Sequence, residues 1–575
     1  MIMAKPRANR LIWRLLPGAA VLARYERGWL RGDLLAGITV AAYLVPQVMA
    51  YATVAGLPPV VGLWAILAPL ALYALLGSSR QLSIGPESTT ALMTAVIVGP
   101  IAAGDPARYA HLAAALAVLV GLLCLICWVL RLGFVADLLS KPILVGYMAG
   151  VALIMIVGQL GKLTAVPVSG ESFLSQLTSF LRGMPHVHLA TSLLATAMLA
   201  FLLVLQWRLP RAPAPLLAVL LATAAVAVFG LERYGIRVVG TVPSGLPAPS
   251  LPATGDLASL LLPAVGLLLV GYTDNILTTR AFAARRDYEI DANQELLALG
   301  AANLGAGLLR GFPVSSSGSR TALGDAAGSR TQLFSLVALA SVVVVLLFAG
   351  PLLATFPAAA LGAIVVYAAL RLIDVAEFRR LAAFRRSELL LALGALAGVL
   401  VFDILYGVLA AVALSVAEML VRVARPHDAI LGLVPGLAGM HDVDDYPQAR
   451  TVPGLVVYRY DSPLFFANAE DFRRRALAAV DQHRGPVAWF VLNTEAIVEV
   501  DITGLDAVEA LRRELERRDV VFALARVKQD LMVFLETSGL AASIGEERIF
   551  PTLPTALAAY ERWRTPHPPP PETAP

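Results

Sequence analysis

The sequence predicts an α-helical polytopic membrane protein of 14 segments, arranged as two inverted halves of seven with one half-helix each, followed by a small cytoplasmic α/β domain. Three observations carry this prediction. Apolar stretches recur from 34 to 423 with short polar gaps, and about 20 mainly apolar residues suffice to cross a bilayer. Two tracts are broken at comparable places in the two halves, by SIGPES at 83–88 and GFPVSSSGSR at 311–320. Beyond 452, short β-rich runs alternate with amphipathic ones.

The chain of 575 residues is 58% hydrophobic with mean hydropathy +0.73, so most of it belongs in lipid. The formal charge of +4 does not indicate nucleic-acid binding, because the basic residues follow the membrane. Residues 1–33 form a cytoplasmic interfacial segment bearing Arg7, Arg10, Arg14, Arg24, Arg27 and Arg31. Its charges and the lack of a small-residue cleavage site argue against a cleaved signal peptide. Further clusters are Arg280, Arg285, Arg286 and Arg371, Arg379, Arg380, Arg385, Arg386. This is the asymmetry of cytoplasmic loops and predicts a multi-pass protein of the cell inner (plasma) membrane with both termini cytoplasmic.

Within the transmembrane region, 34–423, the segments read as 34–52, 60–76, 86–103, 109–129, 141–160, 188–207 and 213–231, then 257–280, 291–309, 315–327, 331–349, 354–371, 388–402 and 404–423. A Pro-rich connector, TVPSGLPAPSLPATGD at 241–256, separates the halves. An odd number per half inverts the second. The third and tenth segments are the half-helices, each preceded by an extended strand, through QLSI and GFPV, and the two strands are placed to pair. Gly and Pro prevent the helix from continuing into each break, so an N-terminus starts inside the bilayer, where its free N–H groups and dipole favour an anion.

Ionisable residues within spans read as functional, and three stand out: Glu87, Asp274 and Arg320. A carboxylate at the third segment's N-terminus repels an anionic substrate unless it is protonated or paired with Arg320, which suggests proton coupling. The alternative is a Glu87 cap locked to Arg320. Gln47 and Tyr51 lie four apart on one helix face and offer donors to an oxyanion. Replacing Arg320 is expected to weaken anion binding and leave the protein folded. Cys124 and Cys127, in GLLCLICWVL, read as packed thiols. No histidine stands at metal-ligand spacing, so neither metal nor cofactor is expected, and no nucleophile–base pair or phosphate loop suggests an enzyme.

Four stretches together, PQVMAYATVAGLPPVVGLWA at 46–65, SSRQLSIGPES at 78–88, DANQELLALGAANL at 291–304 and FPVSSSGSRTAL at 312–323, resemble the sulfate permease family, also called solute carrier family 26. The resemblance implies a core and a gate domain, anion binding between the third and tenth segments, and elevator-like movement of the core. It implies Gln47, Tyr51, Glu87, Ser88, Ser319 and Arg320 at the substrate site, with Glu87 and Asp274 as ion-coupling positions. Glu87 departs from the animal members, which tend to carry an aromatic residue there, and this argues against simple chloride exchange.

After a linker at 424–451, residues 452–565 resemble a STAS domain, with VDITGL at 500–505 matching the loop phosphorylated in related anti-sigma-factor antagonists. Thr503 holds the phosphoserine position, and both Asn468 and Thr503 suit helix N-caps. The Pro-rich tail, 566–575, is expected to be disordered. The function expected is secondary active transport of a small inorganic oxyanion, sulfate before bicarbonate, coupled to H⁺. The alternatives are Na⁺-coupled bicarbonate or dicarboxylate transport, or a membrane-anchored STAS regulator. A homodimer and a cytoplasmic partner of the STAS domain are expected as well.

Overall fold

The computed structural model describes residues 15–134, 140–168, 170, 172–209, 212–243, 245–252 and 257–565. Arg7, Arg10, Arg14 and the tail at 566–575 lie outside them. The chain divides into two compact units, Met1–Ser415 and Val416–Pro575.

In the first unit the first seven predicted segments all form helices: α1 (Leu30–Val54), α2 (Pro59–Leu76), α3 (Ser88–Ala102), α4 (Pro106–Val129), α5 (Lys141–Thr164), α6 (Leu189–Arg208) and α7 (Ala214–Phe229). The second half follows with α8 (Leu257–Arg285), α9 (Ala292–Leu308), α10 (Gly318–Ala327), α11 (Leu333–Phe348), α12 (Ala358–Leu372) and α13 (Arg386–Ala424). The two segments expected at 388–402 and 404–423 both fall within the helical stretch α13, which doubles back between them: a Cβ on Gly407 would stand 2.9 Å from the Val399 Cα, whereas eight residues of a straight helix rise about 12 Å. Seven helices among the described residues have the length and hydropathy to span a bilayer, with α3, α7 and α11 as shorter apolar helices. Trp207, Val228 and Phe348 stand largely exposed on α6, α7 and α11, as suits contact with lipid.

The helices pack as two groups. In one, α9 lies against α4 and α2, α11 against α1 and α2, and α10 against α1. In the other, α12 lies against α5 and α6, and α7 against α6; contacts of α12 and α7 with α1 join the groups. Such packing needs small residues. A Cβ on Gly62 of α2 would come within 2.0 Å of the Val48 carbonyl oxygen of α1, so only glycine permits the approach.

Two strands cross the middle of this unit. The first, β1 (Ile84–Gly85), pairs antiparallel with β2 (Ser315–Ser316), Ile84 opposite Ser316 and Gly85 opposite Ser315. Equivalent strands running antiparallel are what inverted halves require. The second strand falls on the serines rather than on GFPV. Asn303 of α9 takes the place of a strand beside Val314, accepting from its amide at 2.9 Å and donating to its carbonyl at 3.0 Å. Unsatisfied backbone at this depth would cost several kcal/mol per group.

The second unit holds a six-stranded sheet in the order β4-β3-β5-β6-β7-β8, with β3 (Asp428–Leu433), β4 (Met440–Asp442), β5 (Leu455–Tyr460), β6 (Trp489–Asn493), β7 (Val521–Ala525) and β8 (Ile549–Phe550). The last four pair parallel, and β3 pairs antiparallel with both β4 and β5. The stretch 424–451, expected to be a linker, therefore supplies two strands. Burial alternates along the first residues of DAILGL, with Ala429 and Leu431 inside, and this stretch pairs on both sides, with β4 and β5, where a linker would stay solvated. Helices α14 (Ala469–Asp481), α15 (Ile502–Arg517), α16 (Gln529–Thr537) and α17 (Leu553–Arg564) connect or follow the parallel strands.

Two expected caps differ. Asn468 precedes α14 but makes no cap bond to it; its Oδ1 accepts from the Phe465 amide at 3.0 Å. The cap of α15 is Asp501, which accepts from the Gly504 amide at 2.7 Å. Thr503 lies in the exposed first turn of the helix.

Candidate functional site: a cavity between two half-helices

Pro86 stops backbone pairing after β1, and α3 begins at Ser88 with Glu87 as its N-cap. The Glu87 carboxylate accepts from the Thr89 amide at 2.7 Å and from the Ser88 hydroxyl. On the opposite side α10 begins after Ser317, whose hydroxyl caps it by accepting from the Arg320 amide at 3.4 Å. The two starts are tied together: Ser317 donates its amide to the Ser83 carbonyl at 2.9 Å, and the Ser83 amide donates to the Thr321 hydroxyl at 3.0 Å.

A cavity of about 220 Å³ lies between them. Its walls include Tyr43 and Tyr51 of α1, Glu87, Ser88 and Thr89 at α3, Met148 of α5, Asp274 and Thr278 of α8, Ser316 to Ser319, and Ala368, Arg371 and Leu372 of α12. Asp274 accepts from the Ser316 hydroxyl at 2.9 Å. The amides of Gly318 and Ser319 precede the first bond within α10 and donate to no described residue, so this wall presents free N–H donors as well as hydroxyls. A larger cavity of about 570 Å³ near Trp64 and Tyr109 adjoins neither half-helix start.

Of the residues expected at the site, Tyr51, Glu87, Ser88, Asp274 and Ser319 border the cavity. Gln47 and Arg320 do not; they form the layer behind its wall. Arg320 is wholly buried and donates to the Ser83 hydroxyl at 3.3 Å, the Gln47 amide oxygen at 3.3 Å and the Pro86 carbonyl at 2.8 Å. Gln47 in turn donates to the Tyr51 hydroxyl at 3.0 Å. No ion pair joins Arg320 to Glu87 among the described residues, so Glu87 is not locked by it. The guanidinium braces the end of β1 instead, and a Cβ on Gly85 would stand 2.6 Å from Ile66 and 3.3 Å from Arg320 Nη2.

Sequence reasoning missed two charged residues. Arg371 was grouped with the cytoplasmic basic clusters, yet it lines the cavity. Its position in the last turn of a long apolar helix was the signal available. Glu295 of α9 is wholly buried and is bonded by the Tyr73 hydroxyl at 2.9 Å, the Ser78 amide at 2.9 Å, the Ser78 hydroxyl at 2.7 Å and the Asn275 amide at 3.0 Å. It clasps α2, α8 and α9 at some remove from the cavity. Cys124 and Cys127 are both free thiols.

The model of the sulfate permease family matches residues 30–395 and that of the STAS domain residues 446–556. The chain is 63% identical over 548 residues to a probable sulfate transporter of Mycobacterium tuberculosis, covering 95% of this chain and 98% of that protein. Among solved structures it resembles the murine Slc26a9 anion transporter in its inward-facing state, with TM-score 0.89 and 23% identity over 98% of this chain and 96% of the other. It also resembles the transmembrane domain of a cyanobacterium bicarbonate transporter, BicA, with TM-score 0.60 and 24% identity over 67% of this chain and 98% of the other. The last two likenesses concern the fold alone. Paired half-helices, the strands that join them and these matches together place the chain in the sulfate permease family, as a multi-pass membrane anion transporter with a C-terminal STAS domain.

Proposed function

We propose that this chain carries sulfate across the cell membrane as a proton-coupled secondary active transporter, with the cavity between α3 and α10 as the substrate site. The observation that carries the reading is the pair of free amides at Gly318 and Ser319, at a helix N-terminus facing a polar cavity. An oxyanion accepts from such amides and gains from the helix dipole without a bound cation. Sulfate comes first because the 63% identical relative bears that name; bicarbonate, smaller and singly charged, is second.

Coupling follows from the two carboxylates. Glu87 and Asp274 face the same cavity, and each repels an anion until it carries a proton. Substrate and proton then enter together and leave together. An elevator-like displacement of the group containing α1, α3, α8 and α10 against that containing α5, α6 and α12 gives alternating access, consistent with the separate packing of the two groups. The chain acts as a homodimer with both termini cytoplasmic, the STAS domain tunes transport or engages a cytoplasmic partner, and Thr503 is its regulatory position. A Na⁺-coupled reading draws on Asp274, Ser316 and Thr278, which gather oxygen ligands on one wall; hard cations take such ligands.

Uptake of labelled sulfate and bicarbonate into proteoliposomes tests the proposal. An inward proton gradient should accelerate sulfate uptake and a sodium gradient should not. Uptake driven by sodium alone would replace H⁺ with Na⁺ as the coupling ion, and no uptake of either anion would refute transport through this site.

A further inference from the structure

Among the described residues bordering the cavity, the charged side chains are Glu87, Asp274 and Arg371. Two acids and one base are a poor surround for a dianion unless the base is free to serve it. Arg320 cannot fill that role directly. Its Nε and Nη1 are spent on Ser83, Gln47 and Pro86, and its buried Nη2, which has no hydrogen-bond partner among the described residues, lies beside Gly85, with Arg320 not bordering the cavity. Its charge reaches the cavity only through the wall.

Arg371 stands differently. Its Nη1 donates to the Tyr367 hydroxyl at 3.3 Å, and the guanidinium lies 5.9 Å from the Tyr367 ring centroid. Tyr367 is itself held, donating to the Gln206 amide oxygen at 2.8 Å. Both partners are neutral, and no carboxylate pairs with Arg371 among the described residues. The side chain is exposed at the cavity mouth, so most of its N–H donors are available. A guanidinium with unspent donors forks onto an oxyanion, and its attraction doubles with the anion's charge.

We propose that Arg371 is a specificity-determining residue that selects divalent over monovalent oxyanions at the cavity between α3 and α10. The proposal rests on the reading that an anion passes through this cavity. Arg371 approaches from α12, whose main packing is on α5 and α6, whereas the amides and hydroxyls of the opposite wall belong to α10. The substrate is thus gripped by neutral donors on one side and by a charge on the other. The neutral wall accepts any small oxyanion, and the charged wall ranks oxyanions by valence.

The test uses full-length protein in proteoliposomes and compares kcat/KM for labelled sulfate and bicarbonate. Arg371→Gln should lower the sulfate value about tenfold or more and the bicarbonate value no more than about threefold, since loss of one charge hurts a dianion most. Arg371→Lys should restore the sulfate value to within about threefold of wild type, because charge survives though the fork does not. Arg379→Gln, an exposed arginine outside the cavity, controls for general surface charge and should leave the ratio unchanged. A wild-type sulfate-to-bicarbonate ratio in Arg371→Gln would overturn the proposal. Equal losses in the Gln and Lys variants with unchanged melting temperature would overturn it as well, assigning Arg371 to holding Tyr367. Wild-type protein carrying neither anion would instead refute the transport reading, an outcome distinguishable without any variant.

Discussion

At the start of α3 the capping group is a carboxylate, Glu87, which borders the cavity; at the start of α10 it is a hydroxyl, Ser317, and the nearby Arg320 turns away from the cavity to brace β1. The backbone of the two breaks is alike, with a short strand, an N-cap and a half-helix in each, and the strands pair with each other. Their charges are not alike. A carboxylate at a helix N-terminus gains about 1 kcal/mol from the dipole, so α3 already carries its own anion beside the free amides of Ser88 and Thr90, whereas α10 presents those of Gly318 and Ser319 with no carboxylate cap. Inversion thus supplies two equivalent frames, and sequence divergence has put a carboxylate cap on one and a hydroxyl cap on the other.

The sharpest break of this comparison is Arg320→Ala. The burial of Arg320 and its bond to the Pro86 carbonyl change the expectation that its loss would leave folding untouched. Removing it orphans buried acceptors on the α3 frame and on α1 and should cost about 2–4 kcal/mol of stability, with loss of transport, as read by thermal unfolding in detergent beside uptake. Unchanged melting with selectively weakened sulfate binding would show that Arg320 serves the anion and not the frame.

Exchanging the charge at α3 sharpens the asymmetry. Glu87→Gln should keep the cap oxygen for the Thr89 amide, retain or tighten sulfate binding, and abolish the acceleration by an inward proton gradient. Asp274→Asn should act in the same direction, since its carboxylate faces the same cavity. Uptake under separately imposed proton and sodium gradients separates the cases, and full proton-driven accumulation in both variants would eliminate these acids as the coupling groups.

On the α10 side, Asn303→Leu removes the side chain that pairs with both polar groups of Val314. A loss of about 1–3 kcal/mol is expected, with the KM for sulfate raised because α10 is no longer held in register. Smaller still is the effect at a solvent-exposed start. Asp501→Ala should destabilise the STAS domain by about 1 kcal/mol, whereas Thr503→Ala, outside the cap bond, should change its melting little. Equal effects of the two would return Thr503 to the capping role.

Much of this architecture was legible because hydropathy is summed over 20 residues and tolerates local error. The first seven segments, both breaks and the pairing of their strands follow from apolar runs interrupted by Gly, Pro and Ser. Side-chain direction was not legible. Arg320 sits in the first turn of a half-helix, but a long flexible arm can point into a cavity or behind its wall, and only the positions of Ser83, Gln47 and Pro86 decide. Arg371 read as interfacial because an arginine ending an apolar helix usually snorkels to water; that the water it reaches is the cavity mouth depends on α3, α8 and α10. The cap of α15 was misplaced by two residues because Asp501 and Thr503 are both competent caps, and strands β3 and β4 are runs too short for periodicity to register.

The claim on which the rest depends is that the anion sits against the start of α10. Ser319 borders the cavity and is partly exposed to it, while the native thiols are the buried Cys124 and the half-buried Cys127. The measurement is the rate at which a small hydrophilic thiol reagent alkylates Ser319→Cys, in a variant that still takes up sulfate, with and without saturating sulfate at constant ionic strength. Sulfate should slow the reaction severalfold while gluconate leaves it unchanged. Alkylation at the same rate in both salts would place the anion elsewhere and contradict the account.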